Sequence, residues 1–259
     1  MKAYVQVLKN QIAAGLQFKW NTLAGMVMQL LQLVTSVFVW RSIFSHHQNA
    51  INAYTFETML SYLILVSLIG IMFSSDHVFR LTNMVRKGTL SHYLIRPYSF
   101  LGDSFFAYIG SKVVLFFFLL FFLFVLYLLN MIHISLTMTG MLLFICNFLL
   151  LFIFGLVVST FSFWLIEMWP LRPLYASLMG LLGGTLYPLD LLPTTVQDLL
   201  LFLPFSLFGY VNTKVLQGAL STDDEVFFMI VSLVWTLFFL LIYHILWKKG
   251  LKRYEAVNA

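Results

Sequence analysis

Charge is what this sequence has least of. Of its 259 residues only 10% are Asp, Glu, Lys or Arg, against 61% hydrophobic, and the mean hydropathy is +0.93. A water-soluble domain covers its surface with about 25% charge, so the composition excludes one and requires an integral membrane protein. Ten-residue alternating patterns are also missing while the apolar runs are long. That excludes a β-barrel and makes the expected class an all-α membrane protein. Cysteine is nearly absent: Cys146 is single, lies in an apolar run and cannot close an intrachain disulfide. A secretory signal is missing too. The first twenty residues carry Lys2, Lys9 and Lys19 among polar residues, with no compact apolar core and no small-residue cleavage site.

Catalytic motifs are equally scarce. The fragment nearest a Walker A loop, Gly110-Ser111-Lys112, lacks the upstream glycine that shapes a phosphate cradle. The six histidines are scattered and none has a partner at zinc-helix spacing, so no metal site is expected. Charges at the centre of spans mark ion and proton routes, yet Arg41, Lys112 and Glu167 all fall near span ends. This weighs against an ion-coupled transporter, and more heavily against an intramembrane enzyme. Energy for uphill movement would have to enter from a separate chain, and no cofactor is expected on this one.

What the sequence does contain is apolar runs. A span needs about 20 apolar residues. Six are read, at 22–44, 58–75, 104–131, 136–166, 174–189 and 226–247, forming one membrane domain over 1–259. Six spans put both ends on one side. With that side inside, thirteen of the fifteen basic residues fall on inner segments, and only Arg41 and Lys214 lie outside. The expected orientation is N-in, C-in. Inner-leaflet lipid then accounts for the net charge of +5 without nucleic acid. Tyr4, Val7, Leu8, Ile12 and Leu16 recur at helical spacing, so residues 1–20 read as an amphipathic interfacial helix, with a plain polar leader as the alternative.

Residues 80–97 gather Arg80, Arg86, Lys87 and Arg96 between the second and third spans. Short helices are expected at 80–85 and 89–95, with Gly88 as hinge and Pro97 as stop. Arg86, Lys87 and Arg96 can pair with acidic groups of a soluble partner, and Leu90, Tyr93 and Leu94 can anchor it. A loop that only sets topology has the same charge. The order Arg86-Lys87-Gly88-Thr89-Leu90 then Leu94-Ile95-Arg96-Pro97 resembles the inner loop of ABC-2 type exporter permeases. So does the outer stretch from Gly183-Gly184-Thr185-Leu186-Tyr187-Pro188 through Asp190 to Pro193, followed by Leu203-Pro204-Phe205 and Gly218. The match runs over essentially the whole chain.

The resemblance implies a permease dimer, homomeric or of related chains, in a bacterial cell membrane. It also implies a separate ABC ATPase subunit that carries ATP and Mg. The coupling helix would comprise Arg80, Arg86, Lys87, Gly88, Thr89, Leu90, Leu94, Arg96 and Pro97, and the direction would be export. Two alternatives stand beside it. A non-transporting immunity or scaffold protein would need no ATPase, and an ion-coupled secondary transporter would need a titrating residue within the spans.

The first span carries a polar stripe, Thr22, Gly25, Gln29, Gln32 and Ser36, at steps of three and four. The second offers Ser61, Ser67, Gly70 and Ser74, and the fifth Ala176, Gly180 and Gly184. Such stripes either pack helices within one subunit or line a path or dimer seam. Thr22, Gly25, Gln29, Gln32, Ser36 and Ser67 are assigned to the path or dimer seam, and the fifth-span glycines to packing. No fixed charge lies on the stripes, which suits an amphiphilic substrate such as a drug, lipid or peptide. Residues 190–208, an apolar stretch broken by prolines, read as outer re-entrant helices. With Tyr187, Pro188, Asp190, Pro193 and Pro204 they would cap the path.

Overall fold

The computed structural model describes residues 2–17, 19–46, 54–74, 77–96, 99–129, 132, 134, 135, 137–165 and 167–254. Its regular elements are helices: α1 (Lys2–Gln17), α2 (Lys19–His46), α3 (Phe56–Met72), α4 (Val78–Arg86), α5 (Leu90–Leu94) and α6 (Phe100–Leu128) come first. They are followed by α7 (Met138–Thr160), α8 (Leu171–Leu182), α9 (Thr194–Phe202), α10 (Pro204–Phe208), α11 (Tyr210–Leu216) and α12 (Thr222–Arg253). Among the described residues, four helices are long and apolar enough to cross a membrane, namely Leu23–His46, Phe100–Leu128, Met138–Phe163 and Thr222–Arg253. The expected second span appears as α3, which has 17 residues, and the fifth as α8, which has 12. At 1.5 Å per residue α8 is about 18 Å long, short of a hydrocarbon core of about 30 Å.

Four of the helices begin where a side chain satisfies an open backbone N–H group, which is costly to leave bare in lipid. Thr55, Ser99, Thr137 and Ser221 each accept a backbone N–H at the start of α3, α6, α7 and α12, and Thr55 and Ser221 do so in capping boxes. Carboxylates at Asp223, Asp224 and Glu225 favour the first turn of α12.

The centre of the fold is α7, half of whose apolar window is buried, packed along α12. The two run parallel. Glu225 of α12 meets Thr137 at the start of α7, and Trp247 stacks edge-on to Phe163 just past its end. Hydrocarbon tails are as apolar as leucine, so packing and not water exclusion holds such helices together. Aromatic rings supply much of that packing. Phe154 meets Phe205, Phe208 and Phe239 at 5.8, 6.1 and 5.1 Å, while Tyr108 stacks on Phe148 and Phe152 at 4.6 and 5.4 Å. The N-terminal helix α1 lies along α6: Tyr4 stacks on Phe106 at 5.3 Å and its hydroxyl accepts the Ser99 amide at 3.2 Å. Of its expected apolar face, Tyr4, Val7, Leu8 and Ile12 are half-buried, whereas Leu16 is exposed.

Helix α9 and the segment Pro204–Leu216 form a pair bent by 76°. Leu203 is extended, as a residue before proline must be, and Pro204 opens the next helix without a donor to lose. The apex reaches Phe154 of α7, and the pair then returns, so that Leu216 accepts the Ser135 amide at 3.0 Å. The backbone at Gly209 crosses close to Gly183, with the Tyr210 amide donating to the Gly183 carbonyl at 2.8 Å. A Cβ on Gly209 would stand 2.3 Å from that oxygen. Glycine at this crossing lets the short α8 end against the bent pair.

Candidate functional site, a polar cavity and a cationic loop

Three stripes read separately in the sequence meet at one place. A cavity of about 260 Å³ is lined by Gln29, Gln32 and Ser36 of α2, by Ser67, Gly70 and Ser74 from α3 and its end, and by Ala176 and Gly183 at α8. Tyr175, whose hydroxyl is buried without a hydrogen-bond partner, is also in its wall. The seam between α2 and α3 is thin. Gln29 donates its amide to the Ser67 carbonyl at a long 3.4 Å, and its Nε2 lies 3.2 Å from where a Cβ on Gly70 would sit. Gly25 faces open space, away from the cavity, and the side chain of Thr22 lies outside the described residues. Gly180 packs on Leu186, and Gly184 takes φ +74° with its carbonyl accepting Tyr62 Oη at 2.6 Å, so these two are packing positions. Behind Gln29 and Ser67 lies a second cavity of about 260 Å³, walled mainly by Leu30, Leu33, Ile64, Leu68, Phe118 and Phe122.

The cationic loop has two sides. Its helices α4 and α5 flank Gly88, which turns with φ 69°, a conformation that glycine adopts without penalty. Facing inward, Arg80 pairs with Asp103 at 2.6 Å, and that carboxylate is 1% exposed. Leu90 is fully buried with Leu81, Phe100 and Phe163. These two of the expected docking residues are therefore spent within the fold, because α4 and α5 need their own apolar and charged footing on α6. Facing outward are Arg86, Lys87, Leu94, Ile95 and Arg96, the last stacked over the Tyr93 ring at 4.3 Å. Thr89 is half-buried, its hydroxyl donating to the Met84 carbonyl at 3.4 Å, and Pro97 lies outside the described residues.

At the opposite end of the bundle Asp190 closes a knot. Lys214 of α11 meets its carboxylate at 2.8 Å, and Tyr54 donates to it at 3.0 and 2.9 Å while accepting Lys214 Nζ at 2.8 Å. Burial, and then the neighbouring Asp190 charge, push the Tyr54 phenol far above its usual range, so it remains a donor. Three elements are held together here: the lead-in to α3, the 3-10 turn Leu189–Leu191 and α11. The prolines fall at element starts, Pro188 before that turn, Pro193 before α9 and Pro204 at the start of α10. Tyr187 bonds back to the Leu181 carbonyl at 3.1 Å. The sequence pointed to Asp190 but not to its partners, which lie 136 and 24 residues away. It also missed the fully buried Asn147–Asn212 bond of 2.8 Å joining α7 to α11.

The long apolar helices define a multi-pass membrane protein, and a polar cavity between three of its helices fits one that transports. Residues 30–257 match the family described as ABC-2 family transporter protein. The chain belongs to that family and is a transporter permease. No curated protein matches it. Permeases of this family are the membrane component and work with an ABC ATPase subunit.

Proposed function

We propose that this chain is the membrane half of an ATP-driven exporter, with six crossings, both ends cytoplasmic, and an amphiphile moved outward past Gln29, Gln32, Ser36 and Ser67. The observation that carries the reading is the convergence of α2, α3 and α8 on one uncharged polar cavity. Amide and hydroxyl groups there can accept the polar part of a substrate, and the adjoining apolar cavity suits its hydrocarbon part. In this reading α3 and α8 complete the six crossings beyond the four long helices, and the bent pair is a re-entrant segment that returns to the outer side. The Asp190 knot closes the outer side. ATP and Mg act on a separate subunit that docks on Arg86, Lys87, Leu94, Ile95 and Arg96, and a second permease completes the pore in the cell membrane.

Charge reversal at the outward face of the loop tests the source of energy. Arg86→Glu with Lys87→Glu is expected to lower binding of the cognate ATPase at least ten-fold in a detergent pull-down, with membrane insertion unchanged, since rim charges set partner capture. Undiminished ATPase retention by the double variant removes the docking assignment. A chain that never recovers an ATP-hydrolysing partner favours the non-transporting scaffold.

A further inference from the structure

The last described residue touches the hinge of the loop across 166 positions of sequence. Tyr254 donates its hydroxyl to the Gly88 carbonyl at 3.0 Å, and Ser91 donates to the same oxygen at 2.8 Å, so both acceptor directions of this carbonyl are used. The ring of Tyr254 stands edge-on to Phe163 at 6.3 Å, in the cluster of Leu81, Leu90 and Phe100 that seats α4 and α5. Its own amide caps α12 on the Gly250 carbonyl at 2.9 Å, and Gly250 is pressed against Phe163. Tyr254 is thus fixed at backbone, ring and hydroxyl. Followed upward, α12 is a single rod of 32 residues, roughly 48 Å long. Part-way along, Trp235 donates to the Phe202 carbonyl of α9 at 2.8 Å. At the far end Glu225 holds Thr137.

We infer that Tyr254 is a positioning residue that latches the Gly88 hinge to the end of α12, making α4, α5 and α12 one moving body. A push on the loop then reaches the bent pair α9–α11 along α12, as well as through the contact of α4 with α7. Lys252 and Arg253, exposed in the last turn of α12, then move together with Arg86 and Lys87, exposed next to Gly88. What the linkage transmits rests on the docking reading of the loop. The latch itself is measured on the chain alone, so failure of one does not decide the other.

The test uses the full chain in lipid nanodiscs without any ATPase, in a Cys146→Ser background with spin labels at positions 95 and 252. Tyr254→Phe keeps the ring and removes only the hydroxyl. It is expected to broaden the distance distribution between the labels and to speed amide exchange over residues 88–95 by about three- to ten-fold, the worth of one net hydrogen bond. Exchange at 137–140 stays as it was. Ser91→Ala, which removes the other donor to the same carbonyl, speeds local exchange but leaves the label distance narrow. An unchanged distance and unchanged exchange in Tyr254→Phe overturn the latch. So does equal loosening at 137–140, which would mark general loss of packing, or equal broadening in Ser91→Ala, which would place the restraint inside the loop.

Discussion

The two ends of the bundle handle charge in opposite ways. At the Asp190 end the charges face each other: Asp190, Lys214 and Tyr54 close on themselves, and Glu225, 2% exposed, is held by Thr137 and Thr139. At the Gly88 end Arg80 pairs inward with Asp103, while Arg86, Lys87, Lys248, Lys249, Lys252 and Arg253 stay at the surface. One end closes its charges on one another, and the other leaves most of its cations exposed. The same residue type serves as internal fastening or outward contact according to its side of a short helix. Arg80 and Arg86 stand six residues apart on α4 and take opposite roles.

The comparison can be broken most sharply at Arg80. Arg80→Ala strands a buried carboxylate, and loss of one partner from a buried pair costs about 3–5 kcal/mol. Arg86→Ala, at the surface, is expected within about 0.5 kcal/mol of the parent. Thermal unfolding in one detergent compares them, and equal midpoints would erase the distinction between the two sides of the loop. At the other end Lys214→Met is expected to cost less, about 1–2 kcal/mol, because Asp190 is 27% exposed and keeps Tyr54 as a donor. Adding Asp190→Asn should recover most of that loss in a double-mutant cycle. Additive losses would mean that the knot is not a unit. The smallest effect on stability is expected between the two ends, where Gln29→Leu with Gln32→Leu removes one 3.4 Å bond and should shift unfolding by about 1 kcal/mol or less. ATP-driven export by the same variant should fall about ten-fold. Full export with both glutamines gone would take the cavity out of the path.

Much of this arrangement is legible in the sequence. Lipid imposes long apolar runs, and the four longest helices fall where the sequence put spans, within a few residues. Gly88 and Pro204 are readable because local backbone rules act at those positions alone. The stripes of α2 and α3 are readable because helical spacing places Gln29, Gln32 and Ser36 on one face. Direction along an apolar face is not readable. Leu90 and Leu94 look alike in sequence, yet one is buried under the loop and the other is exposed. The length of α8 is hidden for another reason. The sequence reads as a span through residue 189, but the helix ends at Gly183, whose carbonyl accepts the Tyr210 amide where the bent pair crosses. Partners far apart in sequence, such as Tyr54 with Lys214 or Tyr254 with Gly88, leave no periodic trace, since nothing local depends on them.

The light packing of α2 has a consequence for how the protein is made. No residue in its apolar window is buried against the rest of the chain. Its backbone donors and acceptors are satisfied within the helix, so it can enter and reside in lipid before any neighbour has been synthesised. Its contribution to biogenesis is then set by partitioning of its own surface. A charge placed at its middle, at Val34 for example, would raise the cost of insertion by about 2.5–3.5 kcal/mol while disturbing no packed core. For this helix the bilayer serves as the folding partner, and assembly onto α3 is a later and weaker event.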